Sequence, residues 1–296
     1  MSGIVDLHIH SNKSSDGDFS PLDLIRMAKE NGFEALSIAD HDTVAAYPEA
    51  SDLGRDEGIE VIPSMEVTTL FDGREFHCLL PFLNWESPII KRISARVSEG
   101  RYLEARGRVE KLQSLGIEIG WEEVLARSKG VPPLGVTIAQ ILLDKPESKN
   151  NPSLRKYYLA ANPRPAPYLF YQDYFMEGKP AFIPKRHIAL VEVIDLAPQA
   201  GAVPVLAHPG AYFENATEDD LVQLKERGLA GVEVYTSYHD REQTDFYREA
   251  AEALDLVPTA GSDFHGRIKP HIFFGFIKDG TYSMIEKLKE RRAHHA

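Results

Sequence analysis

Ile4-Val5-Asp6-Leu7-His8-Ile9-His10-Ser11 reads as a short apolar strand that ends in two histidines spaced i, i+2. Side chains alternate along a strand, so both imidazoles point to the same face. Two imidazoles converging at a strand end make half of a metal site. Taken alone, the pair also fits an edge strand with two half-exposed histidines. The rest of the chain decides between the two.

Immediately outward lies a polar loop, residues 12–19, rich in turn formers and carrying Asp16. Ser20-Pro21 then reads as the N-cap and first residue of a helix, with Leu22, Ile25, Met27 and Ala28 on its apolar side and Asn31-Gly32 ending it. Residues 35–39 form a second strand, followed at once by Asp40-His41-Asp42. This strand–loop–helix–strand order marks a parallel α/β fold. A helix over residues 44–58, a strand over 59–63 leading to Glu66, and a strand over 74–80 extend the pattern. His77 and Cys78 are neighbours on the last of these and face opposite ways, which makes Cys78 a small core residue.

The rhythm stops between residues 87 and 186, where helical segments alternate with proline-rich loops, and resumes with a helix over 187–200. Strands at 202–207, 231–235 and 257–261 run into His208-Pro209-Gly210, Ser237-Tyr238-His239-Asp240 and Ser262-Asp263-Phe264-His265. A short strand at 272–277 and a charged helix from Ser283 complete the reading. The organisation expected is an α/β body formed by residues 1–86 and 187–296, with 87–186 as a helical insertion acting as a substrate-side lid.

The 296 residues include one cysteine, which excludes an internal disulfide and fits a reducing compartment, the cytoplasm by default. No apolar run approaches membrane-spanning length, and no basic leader with an apolar segment opens the chain. A net charge of −12 argues against a broad duplex nucleic-acid footprint. A small anionic substrate stays compatible, because bound cations would dominate the local field.

His8, His10, His41, His77, His208, His239 and His265 all lie at or near strand ends, as do Asp16, Asp40, Asp42, Glu66 and Asp263. In a (β/α) barrel the C-terminal strand ends converge on one rim, where active sites form. Histidine and carboxylate donors without thiolate suit Zn²⁺, Mn²⁺ or Fe²⁺. Nine such donors exceed what one ion takes, so two or three divalent ions are expected.

His8-x-His10, Asp40-His41-Asp42, Glu66, His77, Ala207-His208-Pro209 and Ser262-Asp263-Phe264-His265 resemble, in order, the motifs of the PHP (polymerase and histidinol phosphatase) family. The insertion ahead of Ala-His-Pro, with Gly178-Lys179-Pro180-Ala181-Phe182-Ile183-Pro184, resembles the bacterial branch acting on nucleoside 3′,5′-bisphosphates or on short RNA from its 5′ end. The resemblance implies a distorted (β/α)7 TIM-like barrel with an α-helical insertion and a trinuclear centre. It places His8, His10, Glu66 and Asp263 on one metal. Glu66, His77 and His208 fall on a second, and Asp16, His41 and His265 on a third. It also implies hydrolysis of a nucleotide phosphate ester by a metal-bridged hydroxide, on a small phosphorylated substrate or short single-stranded RNA. Asp263 then serves in catalysis as a ligand.

One departure stands out. That branch carries an Arg-x-His segment near the phosphate, and the matching stretch here, residues 135–140, has neither residue. Lys185, Arg186 and Arg164 are candidate replacements for binding substrate. His239 is a candidate for contacting phosphate or for protonating the leaving oxygen. Asp40 and Asp42 either orient an imidazole or cap the next helix. His187 is a substrate contact or a helix cap, and His271 is structural. The competing readings are a phosphatase for a non-nucleotide phosphomonoester such as histidinol phosphate, a non-catalytic metal-binding module, and metal-dependent amide hydrolysis.

Overall fold

A computed structural model describes residues 4–14, 16–128, 132–159, 165–211 and 215–295. Arg164, one of the candidate phosphate contacts, lies outside the described residues. The chain divides into two compact units, one formed by residues up to Ala95 together with those from Ile188 onward, the other by Arg96–His187.

The first unit opens with β1 (Ile4–Ile9), α1 (Pro21–Glu30), β2 (Phe33–Ile38), α2 (Glu49–Glu57), β3 (Glu60–Val61), β4 (Glu66–Phe71) and β5 (Arg74–Leu79). Ser20 caps α1 in a reciprocal capping box with Asp23, and Pro21 occupies the first turn where its missing N–H costs nothing. Helix α3 (Pro88–Ser114) leads into the second unit, which holds α4 (Trp121–Arg127), α5 (Gly135–Asp144) and α6 (Ala166–Tyr174) around its own core of Val109, Leu112, Ile138, Leu142, Phe170 and Phe175. The first unit resumes with β6 (Ile188–Ala189), α7 (Leu190–Leu196), β7 (Val205–Leu206), α8 (Glu218–Glu226), β8 (Gly231–Thr236), α9 (Arg241–Ala253), β9 (Val257–Gly261) and α10 (Tyr282–His295).

The fold is mixed α/β, and the strands lie in two sheets, ordered β1-β2-β3 and β6-β4-β5-β7-β8-β9. Single parallel bridges connect them at two seams, Ile9 with Phe264 and His41 with Glu66. At one seam Asp263 N donates to His8 O at 2.8 Å. At the other, Asp42 N donates to Glu66 O at 2.8 Å. Both seams therefore fall on residues flanking the histidine and carboxylate motifs.

Strand β1 is buried on both faces, as expected for a parallel sheet under helices. Val5, Leu7 and Ile9 give one face to apolar cores, while Asp6, His8 and His10, all essentially inaccessible, occupy the other. A row of ionisable groups inside a sheet is stable only if each finds a partner.

Four expectations are corrected. Helix α2 starts at Glu49, because Pro48 restricts the preceding residue and the Tyr47 hydroxyl is tied to the carbonyls of Ile38 and Ile62. The stretch 59–80 holds an antiparallel β4–β5 hairpin, and β5 is antiparallel to β7 as well, which breaks the all-parallel rhythm. Residues 188–189 pair with β4, α7 begins only at Leu190, and Pro198 turns the chain into a 3₁₀ segment, so His187 caps no helix. Residues 272–277 form no strand: Gly275 is left-handed at φ +73°, and Phe276 N turns back to Phe273 O at 3.0 Å.

Candidate metal centre

The strand ends bring the motif residues into one buried cluster. His8 Nε2 and His10 Nε2, 3.1 Å apart, each lie 3.0–3.3 Å from Glu66 Oε2 and Asp263 Oδ1. Five of the six edges of this tetrahedron have that length and the sixth is at most 4.8 Å; a regular one would have its centre ~2 Å from each corner, the bond length of zinc to nitrogen and oxygen. Glu66 Oε2 and Asp263 Oδ1 are buried and accept no hydrogen bond among the described residues. Two desolvated carboxylate oxygens left facing two imidazoles are costly unless a cation lies between them. These residues fit a divalent ion.

Two further groups adjoin this one, His10-Asp16-His41-His265 and His41-Glu66-His77. Asp16 Oδ2 lies 3.5 Å from His41 Nε2 and 3.3 Å from His265 Nε2. Glu66 Oε1 lies 2.7 Å from His77 Nδ1 and 2.9 Å from His208 Nε2, while Oε2 is 2.9 Å from His41 Nδ1. Glu66 therefore joins the groups. His41 stands in both outer groups, a sharing that strand-end logic does not reveal.

The backbone is bent to make this possible. Asp42, His208 and Asp263 are left-handed, with φ of +56°, +24° and +56°. Such positions cost about 1–3 kcal/mol each and persist where surrounding bonds hold them. Here the amides of Asp42, His208 and Asp263 donate to Glu66 O, Glu233 Oε2 and His8 O. Gly17 closes the loop that carries Asp16, since a Cβ there would lie 1.9 Å from Ser11 O.

Five residues that the strand-end reading passes over support the cluster. Glu233 on β8, fully buried, receives His8 Nδ1 at 3.2 Å on Oε1 and His208 N at 2.8 Å on Oε2. It fixes the His8 tautomer so that Nε2 faces the carboxylates. Gly261 makes room for it, because a Cβ there would sit 2.1 Å from Glu233 Oε1. Asp6 accepts the amides of His8 and Ser262 at 3.1 and 3.0 Å, and burial pushes its carboxyl up to about 6. Lys269 Nζ reaches Asp263 Oδ2 at 2.6 Å, and the Tyr238 hydroxyl donates to the same oxygen. Each of the two carboxylates is a charge inside an apolar strand, which marks it as buried without naming its partner.

Proton occupancy is uneven. Burial opposes a charged His8, but Glu66, Glu233 and Asp263 outweigh it and raise its pKa well above the ordinary value. Burial together with the charges of His265 and His41 lowers His10 to about 4. A cation entering the group displaces the His8 proton. Asp40 is pushed up to about 7 by burial and accepts the Ser11 amide and hydroxyl at 2.6 Å each. Asp42 accepts the Thr68 amide at 2.8 Å. Neither caps α2, whose N-cap is Pro48.

Both ring nitrogens of His239 are engaged with the backbone. Its Nδ1 donates to Val234 O at 2.9 Å, its Nε2 accepts from Gly210 N at 3.0 Å, and its ring stacks on Tyr247. Nε2 braces the His208-Pro209-Gly210 turn, and Nδ1 ties the ring to the β8 backbone at Val234. Lys185 is half-buried with partners of its own, and Arg186 is exposed; both belong to the Arg96–His187 unit. His271 is exposed, contrary to its structural reading.

Comparison with known proteins agrees with this geometry. The PHP domain model matches residues 6–146. The chain is 30% identical over 268 residues to the 5′-3′ exoribonuclease Rnm of Salmonella typhimurium, covering 88% of this chain and 85% of that protein. It is 29% identical over 278 residues to the phosphoribosyl 1,2-cyclic phosphate 1,2-diphosphodiesterase of Eggerthella lenta, covering 92% and 98%. A crystal structure from Bifidobacterium adolescentis, assigned as a metal-dependent phosphoesterase, superposes with a TM-score of 0.76 at 26% identity, covering 97% of this chain and 96% of that one. With its ordered histidine and carboxylate motifs at the strand ends and this extent of similarity, the chain belongs to the PHP family.

Proposed function

We propose that the protein is a metal-dependent phosphoesterase that hydrolyses a nucleotide phosphate ester, a 3′,5′-bisphosphate or the 5′ end of a short RNA. The observation that carries this reading is the group of four buried donors spaced for a cation, adjoined by two further groups. His8, His10, Glu66 and Asp263 hold one ion. Glu66 and His77 hold a second with His41 or His208, and Asp16, His41 and His265 hold a third. Manganese, zinc or iron(II) suits these donors. Bound there, the ions supply electrophilic stabilisation of phosphoryl oxygens and lower the pKa of water.

The chain's own part is to hold that arrangement. Glu233 and Asp6 set the His8 ring and backbone. Lys269 and Tyr238 occupy Asp263 Oδ2 and leave Oδ1 facing the group. Residues 87–186 set substrate preference, with Lys185 and Arg186 as phosphate contacts in place of the absent Arg-x-His. The buried, unpaired Cys78 suits a reducing compartment such as the cytoplasm. No helix among the described residues is long and apolar enough to cross a membrane.

Purified protein with added Mn²⁺ is expected to release phosphate from a nucleoside 3′,5′-bisphosphate, or mononucleotides from 5′-phosphorylated RNA, in preference to histidinol phosphate. A five-membered cyclic ribose phosphate belongs in the same panel. Full activity in His8→Ala or Asp263→Ala would contradict the site; preference for a non-nucleotide ester would contradict the substrate class.

A further inference from the structure

Beyond the metal cluster, residues 266–278 stand out from the rest of the chain. The segment Gly266-Arg267-Ile268-Lys269-Pro270-His271-Ile272-Phe273-Phe274-Gly275-Phe276-Ile277-Lys278 contains three cations and no acid, in a protein of net charge −12; Lys269 is paired with Asp263 and the exposed Arg267 with Asp18, and Lys278 is exposed. It starts directly after His265 of the metal cluster, and Lys269 is bonded to Asp263 within it. Ile272 N turns back to Lys269 O at 3.0 Å, which keeps those Cα atoms within about 7 Å. Phe273 follows one residue on, so its Cα lies within about 11 Å of that of Lys269.

The apolar residues of the segment are sorted. Ile272, Phe274 and Ile277 are buried, Phe274 against Phe33 and Phe264 with ring centres 5.4 and 5.5 Å apart. Phe273 and Phe276 instead point outward, 61% and 38% exposed, their rings paired at 5.1 Å. The left-handed Gly275 and the Phe276 N–Phe273 O bond hold the pair in one turn, and the exposed Lys278 lies against Gly275. Anchored neighbours mean that the two rings are presented at little ordering cost.

We propose that Phe273 and Phe276 form a stacking platform for the unpaired bases of a single-stranded RNA whose end phosphate occupies the metal cluster. Aromatic faces beside exposed cations are what a single strand engages, the rings by base stacking and here Lys278 and Arg267 by the backbone charge. An anionic chain with flat bases matches both features, and a second copy of the chain on the same patch is an outcome the test below separates. The inference rests on the nucleotide reading above and deepens it, from any nucleotide ester to a strand longer than one nucleotide. Phe273 and Phe276 thereby become specificity-determining residues.

The test uses the holoenzyme and a 3′-fluorescein adenosine pentamer with a 5′-phosphate and phosphorothioate linkages, read by fluorescence anisotropy. Phe273→Ala/Phe276→Ala is expected to weaken binding about tenfold. A pentamer made abasic at its second and third positions is expected to show a similar loss with the wild-type protein, and no additional loss with the variant. Phe273→Tyr/Phe276→Tyr, which keeps the rings, is expected to restore affinity. Equal binding by wild type and alanine variant overturns the platform, as does additive loss with the abasic strand or failure of the wild type to bind RNA. So does a concentration-dependent dimer, seen by sedimentation, that the alanine variant abolishes. Hydrolysis of unmodified RNA and bisphosphates with Mn²⁺ is measured separately: absent turnover with intact binding removes the phosphoesterase reading, not the platform.

Discussion

The inner and outer donor groups of this centre are built differently. His8, His10, Glu66 and Asp263 are at most 1% exposed and sit on or against the ends of β1, β4 and β9. Of the outer donors His265 is fully buried, but Asp16, His41 and His77 are 24%, 11% and 13% exposed at the side chain, and Asp16 rides on a loop folded over Ser11. The inner group also has dedicated support, from Glu233 beneath His8 to Lys269 and Tyr238 behind Asp263. Of the two outer groups, His41-His77 leans on Glu66 and the Asp16 group on His10, both borrowed from the inner group. Deep, braced donors are expected to bind tightly and shallow ones to exchange. The outer ion should be the one lost first.

Glu66 is where the contrast is broken most directly. Glu66→Ala removes an anion common to the inner group and to the His41-His77 group, and is expected to lower kcat/KM by roughly a thousandfold or more. Elemental analysis should show the loss of more than one ion per chain. Next in size is Glu233→Gln, which keeps the shape but weakens the bond that orients His8. Metal affinity, followed by competition with a chelator, is expected to fall about 10–100-fold. Unchanged affinity would mean that Glu233 only fills space.

Asp16→Ala sharpens the comparison from the other side. It is expected to cost about tenfold in kcat/KM, with the inner ion retained and excess Mn²⁺ restoring part of the rate. Equal damage from Asp16→Ala and Glu66→Ala would erase the inner–outer distinction. The smallest effect on rate is expected from His239→Phe, which strands the Gly210 amide and the Val234 carbonyl. A loss of about 1–3 kcal/mol of stability should appear in denaturant unfolding, with kcat changed only a few-fold. A hundredfold drop in kcat at unchanged stability would instead make His239 the proton donor.

The donors were legible because histidine and aspartate at strand ends are unusual and recur in register with the strands. Their supporters were not, because support here comes from strand interiors. Glu233 and Asp6 lie within runs that read as apolar, and nothing local says that Glu233 meets His8 across 225 residues. The same locality explains the misread elements. Residues 272–277 have strand-like composition, yet Gly275 and a four-residue turn override it. The β4–β5 hairpin turns on Asp72-Gly73, both left-handed at φ +51° and +76°, a two-residue hairpin signal that the parallel reading passed over. The helices of 88–174 were visible from their spacing, whereas the chemistry of that unit was not, since Lys185 and Arg186 carry no pattern beyond their charge.

The central claim is that four buried side chains surround a cation. Crystals grown with Mn²⁺ and measured at the manganese absorption edge test it directly. The account predicts an anomalous peak about 2 Å from His8 Nε2, His10 Nε2, Glu66 Oε2 and Asp263 Oδ1, with weaker density toward Asp16. A structure with that centre filled by water, or with manganese bound only elsewhere, would contradict it.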